Sequence, residues 1–235
     1  MQQRHSEFLN QPLIDILLNT THIVGFKQTA QQINTIVCNI LPIFENRFLI
    51  LQVTDFINSQ QWNIQETNKM LKPKTNLPSC LCLQQGARVI YLNNSLIEQG
   101  ICNGIIGIIT NVNHLEQYVR VAFSVKGSII DIDIYKQTHY FELNGFNCHR
   151  TQFPLQNSFA LTVHKTQGLT LPRVSLTLDE NIFSLGQAYV ALSRCSSWEN
   201  VSISHLDRSA FMTDQDVISE YERLNHISNT NPLQI

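Results

Sequence analysis

The sequence predicts an α/β fold: a mostly parallel sheet with helices, carrying an inserted small β-barrel. Three observations carry that expectation. A strand, a helix and a strand follow one another near the start, the chain order of a parallel layer. From Leu81 the texture turns to short β-branched and aromatic segments punctuated by glycine, at the spacing of a small barrel. After Gln152 a strand of buried type and a short helix return, which closes the α/β layer around the insert.

The elements follow in order. Residues 1–20 read as an amphipathic helix through Leu13, Ile14, Ile16, Leu17 and Leu18. His22 to Gly25 is a short strand. Thr29 then caps a helix whose Ile33, Val37, Ile40 and Leu41 recur at the period of one buried face. Phe48 to Val53 is the second strand, followed by Thr54 and Asp55. Residues 56–79 are polar and read as a linker or surface excursion, with Lys69, Lys72 and Lys74 near Pro73 and Pro78. Those lysines suit a solvated face, or a nucleic-acid backbone.

In the β-rich part, Ala87 to Leu92, Ile105 to Thr110, Tyr118 to Phe123 and Ile129 to Ile134 are strands. Asn103-Gly104 and Lys126-Gly127-Ser128 are turn signals between them. Tyr140 to Leu143 adds another strand. Ser158 can cap a helix over Phe159 to Lys165, although a run this short fits a strand as well. Val174, Leu176 and Leu178 alternate as a strand, and a helix runs from about Leu185 to Ser193. Val201 to Ile203 is a last strand. Thr213 caps a final helix with Val217, Ile218, Tyr221 and Leu224, and the tail NTNPLQI frays.

Composition narrows the function classes. Of the 235 residues, 43% are hydrophobic and 14% charged, so a core forms and global disorder is excluded. The formal charge of -2 argues against a generally basic nucleic-acid coat but leaves room for a local groove. The apolar runs are far shorter than the ~20 residues of a membrane span. The start, MQQRHSEFLNQ, is not a signal peptide. Cys38, Cys80, Cys82, Cys102, Cys148 and Cys195 lack zinc spacing and read as reduced, mostly buried thiols in an intracellular protein.

Two dense clusters carry chemistry. His164, Lys165, Thr166, Gln167 and Gly168 emerge together at the end of an apolar run, with Gly168 where a left-handed residue is needed. A cation, a hydroxyl, an amide and an imidazole suit phosphate oxygens; a polar end facing water is the bland alternative. The second cluster is Gly186-Gln187-Ala188-Tyr189-Val190-Ala191-Leu192-Ser193-Arg194. Arg194 is either a cation favoured at a helix C-terminus or a guanidinium aimed at a phosphate. Asp179-Glu180 imitates a magnesium-binding strand end and reads as a solvated loop.

Together the strings LTVHKTQGLT and GQAYVALSR resemble the fifth and sixth motifs of superfamily-one DNA helicases of the RecD and PIF type. Ile33-Asn34 resembles a pair on a helix of that family's second RecA-like motor domain. Gly86-Ala87-Arg88-Val89, Asn93-Asn94 and Gly100-Ile101-Cys102-Asn103-Gly104 resemble its inserted Src-homology-type barrel. The resemblance covers about 21–205 and implies a partial RecA-like motor domain. On it, residues 1–55 begin the second motor domain, 56–79 link, 80–148 form the barrel, 149–206 complete the motor, and 207–235 are a C-terminal helix and tail.

The resemblance also implies roles. Arg194 would be the catalytic finger on the terminal phosphate of ATP, worth ~10³–10⁵ in rate. Gln167, Gly168 and Gln187 would lie on the nucleotide side, and His164, Lys165, Thr166 and Thr170 on the single-stranded DNA side. The intact enzyme would use ATP and Mg²⁺ to move 5′ to 3′ and would be nuclear in a eukaryote; a Helitron-transposon origin fits equally. No G-x-x-x-x-G-K-[ST] occurs in these residues, so the P-loop and the magnesium ligands are expected from an N-terminal RecA-like lobe absent here. The chain alone is then expected to be inactive. Two other readings stay open: a non-catalytic single-strand-binding module, and a protein-interaction remnant.

Overall fold

The computed structural model describes residues 18–41, 48–57, 60–61, 75–143 and 145–230. The expected helix before Leu18, the lysines at 69, 72 and 74, and the last five residues of the tail lie outside them. The chain divides into two compact units, residues 1–18 with 31–160, and residues 19–30 with 161–235.

The second unit holds the parallel sheet. Its strands are β1 (Thr21–Val24), β13 (Ala160–Thr162), β14 (Val174–Leu178) and β15 (Val201–Leu206), in the order β13-β1-β14-β15. β14 runs parallel to both β1 and β15. Val174, Leu176 and Leu178 are fully buried, as their alternation predicts. Two helices complete the unit: α2 (Gln187–Leu192) and α3 (Gln215–Thr230). Asp214 caps α3 rather than Thr213; its carboxylate accepts from the Asp216 amide at 3.0 Å. The apolar residues of α3, Val217, Ile218, Tyr221 and Leu224, are exposed.

The first unit is antiparallel. Its strands are β2 (Phe48–Gln52), β3 (Thr54–Ile57), β4 (Gln60–Gln61), β5 (Cys80–Gln84), β6 (Arg88–Tyr91), β7 (Ile106–Asn113), β8 (Tyr118–Val125), β9 (Ser128–Tyr135), β10 (Gln137–Leu143), β11 (Phe146–Gln152) and β12 (Leu155–Asn157). They form a five-stranded sheet β12-β6-β7-β8-β9, a four-stranded sheet β10-β11-β3-β4, and the pair β2-β5. Among the described residues, β12 and β9 are the edges of the five-stranded sheet. Its inner face, with Val89, Tyr91, Ile109, Val121 and Phe123, packs on Val37 and Cys38 from α1 (Lys27–Ile40) and on Leu41 just after it in one continuous core.

Three expectations need correction, and one open choice is decided. β2 does not join the parallel sheet: it pairs antiparallel with β5, Phe48 opposite Gln84, a non-local choice that a strand-helix-strand order cannot reveal. Of the two readings of the run after Ser158, the strand holds as β13 and the helix is reduced to a 3-10 turn at Val163–Thr166, because Phe159, Ala160 and Leu161 are all buried and no face is left for water. α1 starts at Lys27, two residues before the expected cap Thr29. Of the six cysteines only Cys38 and Cys148 are buried.

One ion pair is wholly internal. The Arg150 guanidinium grips the Asp55 carboxylate with two bonds of 2.7 Å and donates a third to the Leu77 carbonyl. Arg150 is 2% exposed and Asp55 1%. The pair ties β11 to β3 where Arg150 and Asp55 stand opposite each other.

Candidate functional site

The site is built on the segment that follows β13. Asn34, buried on α1, fixes the start of that strand: its side-chain amide donates to the Ala160 carbonyl and accepts from the Ala160 N–H, both at 2.9 Å. Asn34 thus makes the two bonds that a neighbouring strand would make. After β13 the chain winds into a single 3-10 turn, Val163–Thr166. Gly168 has φ +78, the left-handed value its place in the sequence predicts. The Leu169 N–H donates back to the Thr166 carbonyl at 3.0 Å and closes the turn.

Arg194 joins the second cluster to this turn. Its Nη1 donates to the carbonyls of Thr166 (3.3 Å) and Leu169 (3.2 Å). Its Nε donates to Val190 O at 2.8 Å, and Nη2 to Ser193 Oγ at 2.8 Å. The backbone repeats the link, since the Leu171 N–H donates to the Arg194 carbonyl at 2.8 Å. Of the five guanidinium donors four are engaged, which leaves one Nη2–H to offer on a half-buried side chain.

The other expected residues divide by exposure. His164, Gln167, Gly168 and Thr170 are exposed, and Lys165 is half-buried. Burial, and then the positive charge of Lys27, push the Lys165 ammonium down to about 8. Thr166 and Gln187 are buried instead. Thr166 donates its hydroxyl to Val163 O at 2.7 Å, so its side chain shapes the turn. Gln187 is also buried; its Oε1 accepts from the Phe183 and Ser184 amides and its Nε2 meets His164 Nε2 at 3.3 Å. With Oε1 used as acceptor, the Gln187 Nε2 is the end turned to the His164 ring. Gln187 is therefore a positioning residue for the imidazole.

Sequence reasoning missed Gly25. A Cβ there would stand 2.1 Å from the Asn181 carbonyl oxygen and 2.6 Å from its carbon. Only glycine lets the end of β1 approach the loop after β14 this closely. Asp179 orders that loop: its carboxylate accepts from the Asn181 N–H at 3.0 Å and the Asn181 side-chain amide at 2.8 Å. The carboxylate of the magnesium-like Asp179-Glu180 pair is thus a turn clasp, and among the described residues no group of three His, Cys, Asp or Glu could hold a metal ion. Gly25→Ala is expected to destabilise the second unit by about 1–3 kcal/mol, the range for overpacking. Hydrogen exchange of the β1 and β14 amides measures it; unchanged protection would contradict the close approach.

No family model matches the chain. It is 33% identical over 147 residues to "ATP-dependent DNA helicase PIF1" of Danio rerio, covering 61% of this chain and 22% of that protein. It is 50% identical over 74 residues to "ATP-dependent DNA helicase PIF6" of Trypanosoma brucei brucei, covering 32% and 9%. Among solved structures, Pif1 helicase from Candida albicans superposes with a TM-score of 0.71 at 22% identity, over 87% of this chain and 49% of that one. Bacteroides Pif1 bound to ssDNA gives 0.62 at 23%, over 92% and 50%. The chain spans no more than about a quarter of these curated relatives and about half of these solved chains.

Proposed function

We propose, from the premise that this chain's relatives are PIF1-type ATP-dependent DNA helicases, that it is the second RecA-like lobe of such a motor. In this reading it supplies the arginine finger and part of the single-strand track, and another lobe supplies the P-loop and the magnesium ligands. The observation that carries the reading is the Arg194 guanidinium on the carbonyls of Thr166 and Leu169, which puts both motifs at one spot. ATP, when bound, supplies a polyphosphate whose terminal bond is cleaved with charge spreading over its oxygens. Arg194, with Gln167 and Gly168 beside it, faces those oxygens. A charged phosphate is a stronger acceptor than a carbonyl, so the guanidinium can exchange one for the other at a net gain. The cradle stays, since Val190 and Ser193 still hold Nε and Nη2.

His164, Lys165 and Thr170 face the strand, and movement is 5′ to 3′ in the assembled motor. Lys165 gives this half of the reading a pH signature. A phosphate oxygen favours its charged form, so the complex holds the proton to higher pH than the free protein, where it is lost near 8. Affinity for an oligonucleotide therefore declines as pH rises from 7 to 9, and Lys165→Arg removes the decline because arginine stays charged. Anisotropy titration of labelled dT12 against the purified chain, with ATP turnover followed in parallel, tests this. The expected result is salt- and pH-dependent binding with no hydrolysis, since positioning by the other lobe is missing. Robust DNA-stimulated turnover by the chain alone contradicts the half-site. Affinity unchanged in His164→Ala and Lys165→Ala contradicts the strand track.

A further inference from the structure

Three aromatic rings stand together beside the 3-10 turn. Phe26, just after β1, stacks on Phe183 from the loop after β14, with centroids 5.7 Å apart and planes 25° apart. The His164 ring lies against Phe183 at 6.3 Å and 42°. Phe26 is 46% exposed and Phe183 55%, so a large part of both rings faces water.

The arrangement is held from every side. Gly25 lets β1 press against Asn181, and Asp179 clasps Asn181. Gln187 accepts from the Phe183 and Ser184 amides with one end and holds His164 with the other. Rings fixed before a ligand arrives lose little entropy when it binds. Lys27 follows Phe26 in the chain and Lys165 follows His164, and the Lys27 charge reaches Lys165. Flat apolar faces bordered by two cations match the alternation of base and phosphate in an unpaired strand.

We propose that Phe26 and Phe183, with His164 against the latter, form a stacking platform for unpaired bases of single-stranded DNA, whose phosphates meet Lys27 and Lys165. This rests on the strand-side reading of His164 and Lys165 given above. It adds residues outside both helicase-like strings and a base-dependent contact to what was a backbone contact.

The test compares dT12 with a 12-mer of abasic residues, both titrated with the full chain at low salt. Phe26→Ala and Phe183→Ala are each expected to weaken dT12 binding roughly tenfold, the scale of losing one base-aromatic stack, and to leave abasic binding unchanged. Phe183→Leu keeps apolar bulk and is expected to lose as much, while Phe183→Trp retains affinity. Thermal unfolding of each variant separates loss of stacking from loss of fold. If the phenylalanine variants bind dT12 like the parent while Lys165→Ala weakens both oligonucleotides, the platform is wrong and the backbone track stands. If the phenylalanine variants weaken both oligonucleotides equally, the rings serve the fold and the platform is wrong. If none of these substitutions changes dT12 binding, both are wrong.

Discussion

Arg194→Ala, placed in a motor assembled from this chain and the P-loop lobe of a PIF1-type helicase, is expected to lower kcat for ATP by ~10³–10⁵. That is about 4–7 kcal/mol of barrier at 1.36 kcal/mol per tenfold, with KM for ATP changed far less. Arg194→Lys is expected to recover little. A lysine carries one point charge and cannot hold Val190 O, Thr166 O and Leu169 O while reaching a phosphate. The same substitution also removes a brace from the His164 turn, so a second readout is needed. If the brace were its whole role, oligonucleotide affinity would fall along with the rate. The finger role requires the rate to collapse while dT12 affinity changes no more than a few-fold.

Arg150→Ala carries the largest expected effect on stability. Its removal takes two 2.7 Å bonds and their opposite charge from the Asp55 carboxylate at 1% exposure. Breaking a buried pair from one side costs about 3–5 kcal/mol, against a total of roughly 5–15 kcal/mol for a folded domain. Hydrogen exchange of the β3 and β11 amides should show that loss locally. Asp55→Ala should cost as much. The double replacement Asp55→Leu with Arg150→Met is expected to recover most of it, since a packed apolar pair avoids the desolvation of both charges. A double variant as unstable as the sum of the singles would show that the pair does not act as a unit.

What the sequence could disclose depended on distance along the chain. Local patterns were legible: the alternation of Val174, Leu176 and Leu178 found β14, and Gly168 marked its left-handed position. Long strings of chemical groups were legible too, so His164 and Arg194 could be named before their geometry was known. The direction of a side chain was not. Thr166 and Gln187 sit in the same strings as the exposed residues, yet both turn inward and spend their polar atoms on the turn and its neighbours. Pairings between distant segments left no local trace. β2 joins β5, Asp55 meets Arg150, and Phe26 meets Phe183 only because the fold closes around them. Gly25 looked like an ordinary strand end; its requirement comes from a carbonyl that lies far along the chain.

The most direct measurement is a crystal structure of the two-lobe motor with ADP and aluminium fluoride, read at the Arg194 guanidinium. The expected result is that Nη1, having left Thr166 O or Leu169 O, or the remaining Nη2–H, with Ser193 Oγ still held, lies within about 2.7–3.2 Å of a fluoride, the span of a normal hydrogen bond. Val190 O should still accept from Nε. A guanidinium that keeps both bonds to Thr166 O and Leu169 O, with no donor turned to the fluoride, would contradict it.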